Sequence, residues 1–150
     1  MIDLRTHAIS KVPGSEGLWS PRWSRDGRYV LALTRDRMGL MLFDVRTQKW
    51  SSLVKMAVNW PEWSRQGDYI YFHGATLGGQ RGLYRVRVSD HKMDLVLSLT
   101  DVPAPPGLTR EAWSRANWGS WKGLAPDDSP LMLRDAGTQE IYALDVAFPK

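Results

Sequence analysis

Apolar residues along the chain gather in short, β-prone runs that alternate with polar turns. Tyr29-Val30-Leu31-Ala32-Leu33 is apolar throughout, which predicts a strand covered on both faces. Pro21 to Trp23 precedes it as a short strand, with Arg25-Asp26-Gly27 as the turn between them. Beyond a charged turn, Thr34 to Met38, a third run spans Leu40-Met41-Leu42-Phe43-Asp44-Val45, and a fourth runs from Trp50 to Val54. Four short strands joined by turns make one antiparallel sheet. The order then repeats with Trp60 to Trp63, Tyr69 to His73, a glycine-rich turn from Gly74 to Arg81, Leu83 to Val88, and Met93 to Leu97.

The repetition is visible in the residues themselves. Trp23-Ser24-Arg25-Asp26-Gly27-Arg28-Tyr29 returns 40 residues later as Trp63-Ser64-Arg65-Gln66-Gly67-Asp68-Tyr69. A worn copy, Leu124-Ala125-Pro126-Asp127-Asp128-Ser129-Pro130, follows 61 residues after that. In each copy a bulky apolar residue ends one strand, a polar tetrad turns the chain, and a new apolar run begins. Asp-Gly and Gln-Gly supply positive φ at little steric cost. A period of about 40 residues marks one supersecondary unit copied several times, the signature of a β-propeller blade. The segment 99–120, with Pro103, Pro105 and Pro106 and no apolar periodicity, reads as an insertion loop that lengthens the second interval. A third unit resumes with Trp121 to Leu124, Leu131 to Leu133 and Ile141 to Val146. Leu144-Asp145-Val146 matches Phe43-Asp44-Val45, which matches Ile2-Asp3-Leu4. The expected layout is one all-β domain over 1–150, with a loose fourth strand in 1–12, blades in 13–54 and 55–98, the insertion, and three strands in 121–146. That is three four-stranded antiparallel blades per chain, in circularly permuted order.

At these residues the chain resembles the TolB-like and WD-type β-propellers, whose blades carry a Trp-Ser-Pro-Asp-Gly-like turn between their first two strands. It is similar to part of the C-terminal propeller of large bacterial sensor and regulator proteins; Arg25 and Arg65 stand where that turn usually has proline. The resemblance implies a non-catalytic scaffold for ligand or protein binding, and closed rings of more than three blades. Three blades would leave apolar faces exposed at both ends of the stack and an unpaired edge along Ile141 to Val146. Both faults vanish if Ala8, Ile9 and Val12 of one chain pair, as a fourth strand, with Ile141, Tyr142, Leu144 and Val146 of another. Such a contact is heterologous and must close into a ring or run on as a fibre. The expected partner is therefore a second copy, giving a six-bladed homodimer, with a nine-bladed trimer ranked behind it.

Composition adds limits. The 43% hydrophobic and 24% charged content of the 150 residues is ordinary for a globular domain. With no cysteine, disulfides, thiolate metal sites and thiol nucleophiles are excluded, while the compartment stays open. No apolar run approaches the ~20 residues of a membrane span, and Met1-Ile2-Asp3-Leu4-Arg5 does not open a signal peptide. No membrane partner is expected; the chain alone reads as cytoplasmic, or periplasmic if it belongs to a longer sensor. The net charge of +4, with 14 Arg against 6 Lys, suits anionic partners. Arg and Asp alternate without a basic run, however, so nucleic-acid binding ranks behind protein or small-molecule binding.

Sites of chemistry are sparse. Gly74 to Arg81 lacks the Gly-Lys-Ser/Thr ending of a phosphate loop. His7, His73 and His91 have no ligand spacing. Ser24 and Ser64 suit turn hydrogen bonds rather than a nucleophile elbow, and Asp127-Asp128 occupies a turn. No catalytic residue, metal site or cofactor is expected; a propeller-hosted hydrolase or lyase is the alternative from another class. The eight tryptophans divide by position. Trp23 and Trp63 are expected in the core between blades. Trp19, Trp60 and Trp121 lie at or before first strands, and Trp113 and Trp118 share the insertion with Arg115. Aromatic rings beside arginine can stack on and hydrogen-bond a planar or anionic ligand. Trp19, Trp60, Trp113, Arg115, Trp118 and Trp121 are therefore the candidate binding residues, on the face that gathers the longer loops.

Overall fold

The computed structural model describes residues 1–99 and 121–132. Its architecture grows from one repeated turn. The Ser24 hydroxyl accepts the Tyr29 N–H at 2.8 Å and donates to Asp26 Oδ1 at 2.6 Å. Ser64 repeats this with the Tyr69 N–H at 3.0 Å and Asp68 Oδ1 at 2.8 Å. Gly27 and Gly67 close the two turns at φ 72° and 77°, each donating its N–H to the serine carbonyl at 3.0 Å. In the worn copy Asp128 takes that place at φ 63°, donating to the Ala125 carbonyl at 2.9 Å; aspartate is one of the few residues that tolerates this region.

Among the described residues there are ten antiparallel strands: β1 (Leu18–Trp23), β2 (Tyr29–Thr34), β3 (Leu40–Asp44), β4 (Lys49–Val54), β5 (Ala57–Trp63), β6 (Tyr69–Ala75), β7 (Arg81–Arg87), β8 (Met93–Ser98), β9 (Trp121–Leu124) and β10 (Pro130–Met132). They form two four-stranded sheets, ordered β1-β2-β3-β4 and β5-β6-β7-β8, and a β9–β10 pair. Among the described residues there is no helix, and each four-stranded sheet fits a propeller blade. The first strand of each sheet begins three residues earlier than expected, at Leu18 rather than Pro21 and at Ala57 rather than Trp60. Each crosses a bulge before its proline, with Ser20 at φ 53° and Trp60 at φ 49°. Pairing therefore resumes on the far side of each proline. In 1–12, where a strand from Ala8 to Val12 was expected, only an isolated Ile2–Ile9 bridge forms.

Burial follows the apolar runs. Val30 to Leu33 and Ile70 to Phe72 are buried, as covered strands should be. Leu31, Leu33 and Leu42 of the first sheet share one core with Ile70, Phe72 and Val86 of the second. A smaller cluster joins Tyr71 and Leu83 of the second sheet to Leu124 and Met132 of β9–β10. The second sheet is thus packed on both faces, and polar contacts cross each junction. Arg22 Nε donates to the Pro61 carbonyl at 2.9 Å, and the Trp63 indole to the Arg22 carbonyl at 3.3 Å. The Arg65 backbone N–H reaches Asp128 Oδ1 at 2.8 Å, and its guanidinium the Pro126 carbonyl at 3.1 Å.

Trp63 is the core residue its sequence position predicts, but Trp23 is not: it remains 47% exposed. Cross-strand partners share a face, and Trp23 stands in register with Val30, Phe43 and Trp50. The matching row in the second sheet, Trp63, Ile70 and Val86, faces the first sheet. The row containing Trp23 therefore points away from the second sheet. Trp50 covers part of it, tilted on Phe43 at 5.0 Å and donating its indole N–H to the Pro13 carbonyl at 2.8 Å.

The turns also predict an acid response. Asp26 is held below the ordinary carboxylate range, first by the Ser24 hydroxyl. Asp36 is lowered first by the Thr34 hydroxyl, Asp3 by the Thr6 N–H and Asp90 by the Lys92 N–H. These carboxylates bind protons less readily folded than unfolded. Their stabilisation is full above the unfolded carboxylate range, near pH 4, and drains as pH falls through and below it. Urea midpoints should therefore fall between pH 5 and pH 3; constant midpoints across that window would contradict this role for the turns.

Candidate functional site

The candidate ligand face is the end of the sheets at which β1 and β5 begin. Arg35 donates its N–H to the Gly17 carbonyl at 3.0 Å, and Val58 donates to the Arg37 carbonyl at 2.9 Å. These bonds join the 13–17 loop, the 34–39 loop and the start of β5 into one surface. Trp19 lies on it, 40% exposed, its indole N–H donated to the Thr34 carbonyl at 2.9 Å and the Arg37 guanidinium 5.0 Å over its ring. Its polar handle is committed, so Trp19 offers a ligand ring surface rather than a hydrogen bond. Trp60, at the β5 bulge two residues beyond Val58, is 48% exposed. Arg37 thus links the two tryptophans, packing on one and bonding the strand that carries the other. Trp121 opens β9; Trp113, Arg115 and Trp118 fall outside the described residues.

Near the same end, His73 is a side chain whose titration is displaced by burial. Desolvation first, and the neighbouring Arg81 charge second, hold it below the ordinary histidine range, and its Nε2 is buried without a hydrogen bond. A neutral, enclosed imidazole facing a cation is poorly placed to shuttle protons. Among the described residues, no three His, Asp or Glu side chains gather as metal ligands would, and no helix is long and apolar enough to cross a membrane.

The opposite end holds a feature that sequence reasoning passed over: an open groove of about 410 Å³ lined by Arg25, Glu62, Trp63, Arg65, Pro126 and Asp128. The signal was the arginine at the same place in both full copies of the turn. Two cations face two carboxylates there, so the groove presents no net charge to attract an ion. The oligomer candidates divide similarly. Ala8 and Ile9 are exposed and Val12 is half-buried, while Ile141, Tyr142, Leu144 and Val146 fall outside the described residues.

The segment that carries Ala8 and Ile9 has a defined form. Asp3 Oδ1 accepts the Arg5 and Thr6 N–H groups at 2.9 and 2.8 Å, and His7, at φ 59°, donates to the Asp3 carbonyl at 2.7 Å. Between β3 and β4, Asp44 Oδ1 accepts Arg46 and Thr47 at 2.8 and 3.1 Å, and Gln48, at φ 57°, donates to the Asp44 carbonyl at 2.8 Å. The Ile2–Ile9 bridge repeats the Phe43–Trp50 pair. Compared with protein-family models and with curated proteins, the chain matches none.

Proposed function

We propose that this chain is a non-catalytic β-propeller scaffold of the TolB-like kind, completed by head-to-tail pairing with a second copy into a six-bladed, two-fold ring. The observation that carries this reading is the corner in residues 1–10. It reproduces the backbone hydrogen bonds of the β3–β4 corner, yet its apolar residues are uncovered: Ile2, Leu4 and Ile9 are 61, 88 and 82% exposed. A corner of a blade that exposes its apolar residues is a piece to be supplied elsewhere. Paired with Ile141, Tyr142, Leu144 and Val146 of a second copy, it would serve as the fourth strand of that copy's last blade. Two copies give six blades, within the four to eight that propellers use; three give nine and a wider channel.

The ring presents Trp19, Trp60, Trp113, Arg115, Trp118 and Trp121 on its loop end as the surface for a protein or small-molecule ligand, specificity residues carried by a rigid scaffold. Deletion of Met1 to Val12 tests the assembly. By light scattering the truncated chain should run as a monomer. A dimer that survives the deletion would rule out strand exchange.

A further inference from the structure

We infer that the junction between copies is set in register by the Trp23 indole of one copy, donated to the Gly123 carbonyl of the next, with Leu131 packed beneath it. This rests on the assembly proposed above and adds the surface through which it occurs. The strand registers define equivalent positions. Trp23 pairs with Val30, Trp63 with Ile70, and Leu124 with Pro130. One step back, Arg22 pairs with Leu31, Glu62 with Tyr71, and Gly123 with Leu131. Leu31, Tyr71 and Leu131 therefore occupy one position in three successive units, on the face that meets the following unit. Leu31 and Tyr71 are covered, at 0 and 6% exposed, whereas Leu131 is 47% exposed. Trp23 and Trp63 occupy the position that meets the preceding unit. Trp63 is packed there, while Trp23 is 47% exposed and its indole N–H has no acceptor among the described residues.

Among the described residues an unfilled seat thus stands at each end of the row of sheets, and the two are complementary: Trp23 needs what Leu131 and its strand supply. That complementarity selects a second copy of this chain as the occupant. The geometry of the filled junction supplies the bond, since the Trp63 indole donates to the Arg22 carbonyl, and Gly123 stands at the position of Arg22. The other polar links cannot be reproduced at the new junction. Arg22 reaches Pro61 with a side chain that Gly123 lacks, and Arg65 uses a backbone N–H that Pro126, its counterpart, does not have. The Trp23 indole is the polar contact left to fix the register between apolar faces. Gly123 itself is held at φ 122°, a conformation side chains rarely adopt.

Sedimentation across a concentration series should compare the intact chain with Trp23→Phe, which keeps the ring and removes the N–H, and with Leu131→Arg, which places a charge on the trailing face. Far-UV circular dichroism checks that each variant is folded. The intact chain should dimerise, Trp23→Phe should dimerise roughly tenfold or more weakly because two junctions each lose a bond, and Leu131→Arg should be a folded monomer. A dimer of unchanged affinity in both variants would overturn this junction and leave strand exchange standing. A monomeric intact chain would overturn the assembly itself, and the junction with it.

Discussion

Phe72→Ala should destabilise the fold by about 3–5 kcal/mol, the cost of emptying a large, fully enclosed aromatic site. Phe72 is 0% exposed in the core shared by both sheets, and its ring stacks on Tyr84 at 5.9 Å. Its ring edge also lies where a Cβ on Gly74 would come within 3.1 Å, so the site is filled from several sides. Alanine removes the contact between sheets and the stacking partner of Tyr84 together. For a chain of this length the loss corresponds to a fall in Tm on the order of 10 °C. Leu77→Ala is the control: Leu77 is 94% exposed, and such substitutions stay within about 0.5 kcal/mol. Equal Tm values for the two variants would mean that the sheets do not share this core.

Gly82→Ala should cost about 1–3 kcal/mol, by overpacking rather than by a cavity. Gly82 pairs with Gly74 on one side and Ser98 on the other. A Cβ there would lie 2.4 Å from Leu95 Cδ1 and 2.7 Å from the Leu97 carbonyl oxygen. The leucine side chain can rotate aside, but the carbonyl belongs to β8, so the outer strand must move. Because β8 leaves Leu95, Val96 and Leu97 substantially exposed, its displacement should also raise hydrogen exchange along Met93 to Ser98. Gly78→Ala provides the contrast, since its nearest neighbour would be Thr76 Oγ1 at 3.8 Å. Equal melting temperatures for Gly82→Ala and Gly78→Ala would show that β8 does not sit this close.

The turns were readable from residues because their chemistry is local. Ser24 and Ser64 bond within five residues of themselves, and Gly27 and Gly67 meet a steric demand that the letters state directly. The same signal located the worn copy, where Asp128 substitutes for glycine. The bulges were not readable: the residues place the strand starts at Pro21 and Trp60, and only the partner strand reveals that pairing extends back past each proline. Trp23 and Trp63 share the local pattern Pro-x-Trp-Ser-Arg-x-Gly-x-Tyr and differ in whether a sheet lies against them, which no local pattern encodes. The binding surface was readable in part. The tryptophans drew attention to Trp19 and Trp60, but that Arg37 and Thr34 engage Trp19 depends on where the 34–39 loop returns.

All of these features bear on one claim, that the chain is part of a ring it completes with its own copy. The most direct measurement is the native mass of the intact chain by light scattering across a range of concentrations. The ring requires twice the 17.1 kDa chain mass, persisting on dilution until the Trp23 junction opens. A stable, soluble monomer at every concentration would contradict it.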